Sequence, residues 1–445
     1  MSRTELRTRR IALKIINKAT SRNRRLSDVT AEVFRNEAIN LDDKDRRFIT
    51  MLVQGTVRLS RKLDWKIKQV FIGDYNDLRE NLKIILRLGV YQLDYMDSVP
   101  DYAAVTTTVN LAKKIHKNLG GLANAVLRTI IKECNKIIID ENTPLSTISE
   151  YLSHPEWLIN KWIKDYSFDS AKSMAEWNNK HPNIWFRVNN LEYSPTKFKN
   201  YLKKNEIEFE QFKYIPDFIT TSKNQELIKC DIFNDGKITI QDPSAGLIVK
   251  LVNPQKDESI VDLCAAPGGK TSYMADRLDN TGHIHAFDID QNRINRLVET
   301  LDRLKIINTD VKLLNITTDK IEMTNKMLID VPCTGTGVMS KRADIRWRRT
   351  IDEILEMHLL QRKILWAASN YINPNGVIIY STCSIEPEEN YMVIDAFLKS
   401  HPQYSIESAI NYVPSEFVDE RGGLFIFPPH HNIDGVFSVR LRQHA

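Results

Sequence analysis

The chain has 445 residues, of which 42% are hydrophobic and 27% charged, a composition typical of a soluble globular protein. A chain of this length is expected to form two or three domains. No apolar run approaches the ~20 residues of a membrane-spanning helix, and no secretory signal follows the basic N-terminus. We therefore expect a cytoplasmic protein without a membrane partner.

Positive charge is concentrated near the N-terminus. Residues 1–70 contain 18 Lys and Arg against 8 Asp and Glu, whereas the whole chain carries a net charge of only +5. A basic segment on a near-neutral body predicts a polyanionic partner, most simply a nucleic acid. The alternative is a solvated helical surface that happens to be basic.

Apolar periodicity divides the chain into three parts. Residues 1–140 place apolar side chains at helical spacing and predict an all-helical domain. Residues 141–236 begin with a proline-containing linker and continue as a small α+β module with strands at 184–188 and 207–209. Residues 237–445 alternate strands and helices, which is typical of a doubly wound, Rossmann-like α/β domain. The strands predicted for it span 259–263, 283–287, 311–314, 327–330, 377–381 and, at the end, 435–442.

A glycine-containing turn follows the first strand of the α/β domain. In the run IVDLCAAPGGKT (260–271), Gly268 and Gly269 allow close backbone approach to a ligand at the start of a helix. Twenty residues after Gly268, at the end of the next strand, Asp288 stands where α/β nucleotide sites place a carboxylate for ribose hydroxyls. The spacing fits neither GxGxxG nor a P-loop. It therefore favours S-adenosylmethionine, which has a ribose but no phosphates, over a turn without a ligand.

The cysteines do not form a structural framework. An odd set of five, without a CxxC pair, argues against disulfides and against a zinc site, so we expect no metal. Cys134 and Cys230 are interpreted as structural. His430 and His431 are interpreted as loop surface, because no partner ligands stand at suitable spacing.

Two of the cysteines follow predicted strands directly. Cys333 ends the run Asp-Val-Pro-Cys that starts at Asp330, and Cys383 follows Ser381-Thr. Both are expected at the carboxyl ends of parallel strands, the edge at which open α/β sheets bind ligands. Addition of a thiolate to carbon 6 of cytosine makes carbon 5 nucleophilic, and Asp330 is placed to stabilise that adduct through the ring. The second thiol can assist the elimination that follows.

Several motifs resemble the Sun/Fmu (RsmB-type) family of bacterial ribosomal RNA cytosine-5 methyltransferases. The resemblance spans nearly the whole chain, and the N-terminal third resembles the NusB-type RNA-binding domain of that family. The motifs are QDPSAG (241–246), DLCAAPGGKT (262–271), DID (288–290), DVPCTGTGV (330–338), DIRW (344–347), YSTCSIEPEEN (380–390) and, in the N-terminal third, LKIILRLGVYQLDYM (82–96).

The resemblance implies a role for each matching residue. Cys383 would be the nucleophile, Cys333 the thiol that aids product release, Asp288 the ribose ligand, and Asp330 a residue at the methyl-transfer centre. Asn315 stands where the family usually has an acid against the adenine, so we expect weaker cofactor binding rather than its loss. The cofactor would further be lined by Cys264, Ala265, Ala266, Pro267, Gly268, Gly269 and Lys270.

The implied substrate is small-subunit (16S) ribosomal RNA. We expect the protein to be a monomer. Candidate RNA contacts are Lys341, Arg342 and Arg346 in a cation-rich run, and Arg187 and Asn189, which resemble an RNA-facing strand of the family. Two alternatives remain, a transfer RNA methyltransferase and an antitermination-type RNA-binding protein with an inactive methylase domain. The NusB-like third counts against the former, and the intact cysteine motifs count against the latter.

Overall fold

The computed structural model describes residues 3–37, 41–132 and 137–444, so Cys134 falls outside the described residues. The chain divides into two compact units. The first consists of Met1–His181 together with Met339–Arg349, and the second of Pro182–Val338 together with Thr350–Ala445.

The first unit is helical, as the apolar periodicity predicts. Helix α5 is its most buried element, with a run of apolar side chains from Leu82 to Tyr91 inside the core, and α1 packs Ile11, Ile15 and Ile16 into the same core. The Asp42 side chain caps α3 by accepting from the Asp45 backbone N–H. The helices are α1 (Arg3–Ser21), α2 (Leu26–Glu37), α3 (Asp43–Arg58), α4 (Ser60–Val70), α5 (Glu80–Tyr95), α6 (Asp101–Ile115), α7 (Leu119–Lys132), α8 (Leu145–Tyr151), α9 (Glu156–Asp165), α10 (Phe168–Asn179) and α17 (Ile345–Arg348).

The second unit begins with a small antiparallel sheet of order β2-β3-β1-β4. Its strands are β1 (Trp185–Val188), β2 (Phe209–Gln211), β3 (Phe218–Thr221) and β4 (Ile238–Ile240). Strand β4 lies just beyond residue 236, where the sequence suggests that the small module ends, and it pairs with β1. This sheet and the helix α11 (Pro195–Lys204) form the expected small α+β module.

The larger sheet of this unit has the order β10-β12-β9-β8-β5-β6-β7, with β11 paired to β12. Strands β5 to β9 pair in parallel, whereas β12 runs antiparallel to β9. This confirms a Rossmann-like α/β domain, with a mixed rather than wholly parallel sheet. Its strands are β5 (Ser259–Leu263), β6 (His283–Asp288), β7 (Thr309–Leu313), β8 (Thr324–Asp330), β9 (Ile372–Thr382), β10 (Tyr404–Glu407), β11 (Leu424–Ile426) and β12 (Val436–Gln443). The remaining helices are α12 (Asn224–Leu227), α13 (Asp231–Asn234), α14 (Pro243–Val252), α15 (Gly269–Arg277), α16 (Gln291–Arg303), α18 (Ile351–Ser369), α19 (Tyr391–Ser400) and α20 (Pro428–His431).

Three neighbouring parallel strands position the candidate site. In the order β5-β8-β9, Leu263 is in register with Ile329, and Asp330 is in register with Ser381. The inner residues of these strands are buried on both faces, which explains why most of them are apolar, with Asp262 in β5 as an exception. Their carboxyl ends therefore meet at one edge of the sheet. Within the described ranges, no helix combines the length and apolarity needed to cross a membrane.

Candidate active site

The loop after β5 has a left-handed backbone conformation at two residues. Cys264 and Gly268 have φ values of +63° and +99°, and the Gly268 N–H closes a turn by donating to the Ala265 carbonyl. A Cβ added at Gly268 would lie 2.6 Å from Leu297 Cδ1, so glycine is required there both by conformation and by space. Helix α15 begins at the next residue, which leaves the N–H groups of its first turn at the carboxyl edge of the sheet.

Asp288 is buried at the end of β6, beside that loop, with only 2% of its surface exposed. Its Oδ2 accepts from the Ala266 N–H at 3.2 Å, and its Oδ1 accepts from the Asp290 N–H at 3.1 Å. Arg293 donates to the Ala266 carbonyl at 2.6 Å and lies 3.3 Å from Asp288 Oδ2. The carboxylate is thus fixed in place, and each oxygen retains lone pairs for further donors.

A second acid, Asp262, lies inside β5 below the loop. It is 1% exposed, and its Oδ2 accepts from the Thr271 hydroxyl at 2.7 Å. Its Oδ1 has no hydrogen-bond partner among the described residues. Burial raises the pKa of Asp262 to about 7, an effect that the Thr271 bond opposes. Sequence reasoning did not single out Asp262, although it opens the DLCAAPGGKT motif.

Asp330 and Lys270 form an ion pair at the strand ends. Lys270 Nζ lies 2.7 Å from Asp330 Oδ2, and the Ser381 hydroxyl donates to Asp330 Oδ1 at 2.8 Å. Burial alone would lower the pKa of Lys270, but the charges of Asp330 and, to a smaller extent, Cys383 raise it above its ordinary value. About a third of the Asp330 side chain is exposed, so its carboxylate is accessible to a ligand.

The structure brings the two cysteines at the strand ends into contact. The Sγ atoms of Cys333 and Cys383 are 3.1 Å apart, and both cysteines are partly buried and not disulfide-bonded. The pKa of Cys333 is raised well above its ordinary value, first by its hydrogen bond with Cys383, then by burial and nearby negative charge, including that of Glu389. Either sulfur can be the donor in this contact, and the raised pKa of Cys333 favours its protonated form.

The other cysteines lie elsewhere. The Cys230 thiol donates to the Leu227 carbonyl at 2.9 Å, in line with a structural role. Cys264 lies in the loop after β5, where burial and then the charges of Asp288 and Asp330 raise its pKa to about 12. A thiol with that pKa is inert near neutral pH.

Asn315 follows β7 and makes a local turn. Its Oδ1 accepts from the Thr317 N–H at 3.1 Å and from the Thr317 hydroxyl at 2.8 Å. Its backbone N–H donates to Asp319 Oδ2 at 2.8 Å. The Asn315 amide oxygen, which is expected to contact the adenine, is therefore already hydrogen-bonded to Thr317. The carboxylate of Asp319 lies four residues further along the chain.

Arg187 and Asn189 are not RNA-facing in this structure, contrary to the expectation. Arg187 is 0% exposed and donates to Gln241 Oε1, Asp276 Oδ2 and Ser272 Oγ at 2.5, 3.1 and 2.9 Å. Asn189 is buried and donates to the carbonyls of Gly236 and Leu304, each at 2.9 Å. Both side chains tie the small sheet to neighbouring segments of the second unit.

Arg346 is likewise buried rather than presented to RNA. It is 0% exposed within the first unit and donates to the carbonyls of Ser153 and Asn178 at 3.0 and 2.8 Å and to the Asn179 side chain at 2.7 Å. Arg342 is exposed and Lys341 half-exposed, as contacts with phosphate would require. Of the three candidates taken from this run, Lys341 and Arg342 remain candidates for RNA.

One set of side chains in the second unit has spacing suited to a metal. Ligand atoms of His283, His285 and Asp310 lie within 4.8 Å of one another, and His283 Nε2 is 3.0 Å from Asp310 Oδ2. These histidines stand in the first half of β6, whereas the candidate site lies beyond its carboxyl end. His430 and His431 lie in α20, where His431 Nδ1 is 3.0 Å from the Phe427 backbone nitrogen.

Besides Asp262, two further contributors were missed by sequence reasoning. Arg293 lies in the first turn of α16 and contacts Asp288. Its position five residues after Asp288 in the sequence could have indicated this contact. Glu389, in the YSTCSIEPEEN motif, is fully buried and bonded to residues next to both cysteines. A glutamate near a helix start suggests capping from sequence alone, so this contact could not be anticipated.

Known protein families match the chain along most of its length. The model for 16S rRNA methyltransferase RsmB/F matches residues 249–442. The NusB family model matches residues 6–132, and a model for the ferredoxin-like domain of RsmF/B-like methyltransferases matches residues 154–227. These matches confirm the family resemblance seen in the motifs.

Individual proteins agree with these models. The chain is 33% identical over 444 residues to the ribosomal RNA small subunit methyltransferase B of Photorhabdus laumondii, covering 98% of each chain. It is 29% identical over 412 residues to the probable ribosomal RNA small subunit methyltransferase B of Bacillus subtilis, covering 91% and 92%. The crystal structure of PH0851 superposes with a TM-score of 0.79 at 25% identity, covering 100% of this chain and 99% of the other. The chain therefore belongs to the RsmB/F family of 16S rRNA methyltransferases.

Proposed function

We propose that this protein transfers a methyl group from S-adenosyl-L-methionine to carbon 5 of a cytosine in small-subunit (16S) ribosomal RNA, through a covalent bond between Cys383 and carbon 6. The observation that carries the proposal is the pair of contacting thiols beside the Lys270–Asp330 ion pair. Family membership supports the methyltransferase activity and the RNA substrate. The side-chain chemistry supports the cytosine and the covalent step.

The residues around the loop after β5 suit S-adenosylmethionine. Gly268 allows the left-handed backbone of the turn, and Asp288 offers buried acceptors for two ribose hydroxyls. The unpartnered Oδ1 of Asp262 is a further buried acceptor below this loop. Cys264 to Lys270 and Asn315 complete the proposed set of cofactor contacts. The bound cofactor would supply a methyl group on a sulfonium.

Cys383 begins the proposed reaction. Because Cys333 favours its protonated form, Cys383 is the first thiol of the pair to lose its proton. The Lys270 ammonium stabilises the resulting thiolate. The Cys383 thiolate adds to carbon 6, and the electron pair of the 5,6 double bond moves onto the ring. Asp330 faces the pyrimidine edge, where hydrogen bonding at nitrogen 3 or the exocyclic amine stabilises the adduct. Carbon 5 would then take the methyl group from the sulfonium, whose carbon–sulfur bond breaks to leave a neutral thioether.

Elimination completes the reaction. A base removes the carbon-5 proton, the carbon–sulfur bond breaks, and its electron pair returns to Cys383. Cys333 would donate its proton to the leaving sulfur, since the two sulfur atoms are 3.1 Å apart. The Cys383 thiol is thereby freed from the methylated RNA.

RNA recruitment is assigned to the first unit, through cations along α1 and through two cations of its segment 339–349. Three cations on α1 and one just after its end, at every fourth position, form a basic stripe along a groove of about 560 Å³. We name these residues the α1 stripe: Arg10, Lys14, Lys18 and Arg22. Lys341 and Arg342 are the proposed contacts outside it.

The test compares RNA from cells with and without this gene. Bisulfite sequencing should show one cytosine in 16S ribosomal RNA that loses protection when the gene is deleted. Protection lost in a transfer RNA instead would favour the transfer RNA alternative. Unchanged protection in all RNA would favour a binding protein with an inactive methylase domain.

A further inference from the structure

The strongest unexplained feature of the site is a buried carboxylate beneath the two cysteines. Glu389 is 0% exposed, yet the partners that hold its carboxylate are neutral. A buried carboxylate without a cation is stable only when hydrogen bonds satisfy it. The identity of those partners is therefore informative.

The four donors come from the two cysteine loops and one helix. Thr334, the residue after Cys333, donates its N–H to Glu389 Oε2 at 2.8 Å and its hydroxyl to Oε1. Ser384, the residue after Cys383, donates its hydroxyl to Oε1 at 2.6 Å. Gln361 on α18 donates to Oε2 at 2.9 Å and to the Pro332 carbonyl at the same distance. One carboxylate thus joins the residues that follow both thiols.

We infer that Glu389 is a positioning residue that holds Cys333 and Cys383 at contact distance. The catalytic part of this inference rests on the proposed function, whereas the spacing of the two sulfur atoms does not depend on it. The length of the glutamate side chain is essential to this positioning, because one carboxylate must reach Thr334 and Ser384 at once. Its charge has a second effect, since it helps Cys333 to keep its proton.

Two substitutions separate length from charge. Glu389→Asp keeps the charge but withdraws the carboxylate by one methylene, so one loop loses its anchor. Glu389→Gln keeps the length, and its amide can face the hydroxyls of Thr334 and Ser384, which can turn to accept. A matched control is Glu407→Gln, a carboxylate on β10 that is bonded to Arg440 and Arg442 instead.

The spacing is measured by disulfide formation in the full-length protein. Diamide takes two electrons and two protons from a thiol pair, and peptide mapping identifies the Cys333–Cys383 disulfide. Because disulfides need specific geometry, Glu389→Asp should form this bond about tenfold more slowly than wild type, whereas Glu389→Gln and Glu407→Gln should not. Calorimetry with S-adenosylmethionine should give unchanged affinity for all variants, which shows that the domain remains folded.

Equal disulfide rates in a folded Glu389→Asp and wild type would overturn the inference. If Glu389→Asp does not fold, the test uses Glu389→Gln, which removes the charge of Glu389 but keeps the length of its side chain. The thiol pair should then be alkylated at lower pH than in wild type. An unchanged pH dependence of alkylation would overturn the inference.

Methylation is measured separately. Where wild type methylates RNA, Glu389→Asp should lower kcat about 100-fold with KM for RNA nearly unchanged. Wild type that methylates nothing would refute the proposed function while the disulfide rates still report on Glu389.

Discussion

Cys333 and Cys383 are 50 positions apart in the chain, yet their sulfur atoms lie 3.1 Å from each other. The contact arises because β8 and β9 are neighbouring parallel strands with Asp330 opposite Ser381. Each cysteine follows its strand within three residues. Two thiols at this distance can divide the work of addition and elimination, which gives the first prediction.

The two cysteine substitutions are expected to fail differently. Cys383→Ser removes the thiolate that adds to carbon 6, so neither an RNA–protein adduct nor methylation should be detectable. Cys333→Ser retains the attacking thiol but loses the proton donor, so methylated RNA should remain attached to the protein. The measurement is a denaturing gel with label from the cofactor methyl group. The reverse pattern would exchange the two roles, and normal methylation in both variants would rule out covalent catalysis.

Cofactor affinity should depend on Asp288. Asp288→Ala leaves ribose hydroxyls and the Ala266 and Asp290 N–H groups without their acceptor, at about 1–3 kcal/mol for each unmet bond. S-adenosylmethionine should therefore bind one to two orders of magnitude more weakly in calorimetry. Asp290→Asn is the control, because Asp290 caps α16 through the N–H groups of Asn292 and Arg293. Equal affinity for Asp288→Ala and wild type would place the cofactor elsewhere.

Asp262 should make stability fall with rising pH. Its pKa is near 4 in the unfolded chain and about 7 in the folded protein, so folding favours the protonated form. That contribution is complete below pH 4 and is lost as the pH rises through 7, at up to about 1.4 kcal/mol per pH unit. Urea unfolding of Asp262→Asn should therefore show a flatter dependence between pH 4 and 7. A slope identical to that of wild type would mean that Asp262 is ionised throughout.

RNA binding should depend on the exposed cations of the α1 stripe. Arg10→Glu with Arg22→Glu should weaken binding of 16S ribosomal RNA and reduce the slope of log affinity against log salt, by about 0.9 for each phosphate that is no longer neutralised. Lys114→Glu with Lys117→Glu makes the same charge change on another exposed segment of the first unit and should have less effect. Filter binding over a salt series measures both slopes. Equal weakening in the two double variants would indicate only nonspecific attraction.

Arg346 should matter for stability rather than for RNA. Arg346→Ala leaves buried carbonyls of Ser153 and Asn178 without donors, and each unmet carbonyl costs about 1–3 kcal/mol. The free energy of unfolding should therefore fall by at least about 2 kcal/mol, whereas the exposed Arg342→Ala should leave it nearly unchanged. Thermal or urea unfolding of the two variants decides. A stable Arg346→Ala variant with impaired RNA binding would instead support the expectation from the sequence that Arg346 contacts RNA.

The sequence predicts the backbone of the site better than its polar interior. Strand ends and glycine turns are local features, so the positions of Asp288, Asp330 and the two cysteines follow from periodicity and motif. Arg187 and Arg346 look like phosphate ligands in sequence, because their charge is visible and their burial is not. Their partners lie as far as 288 positions away and include backbone carbonyls, which carry no sequence signal. Glu389 escapes prediction for the same reason.

Register between two strands, rather than chain length, sets the spacing of the reactive sulfurs. Segments between β8 and β9 can therefore gain or lose residues in relatives without moving either thiol, provided that Asp330 stays opposite Ser381 and that Thr334 and Gln361 keep their contacts with Glu389. A search for distant homologues should score each cysteine by its offset from its own strand and leave the gap between them free. Insertions there offer a place where evolution, or an engineer, can attach new recognition elements without retuning the chemistry.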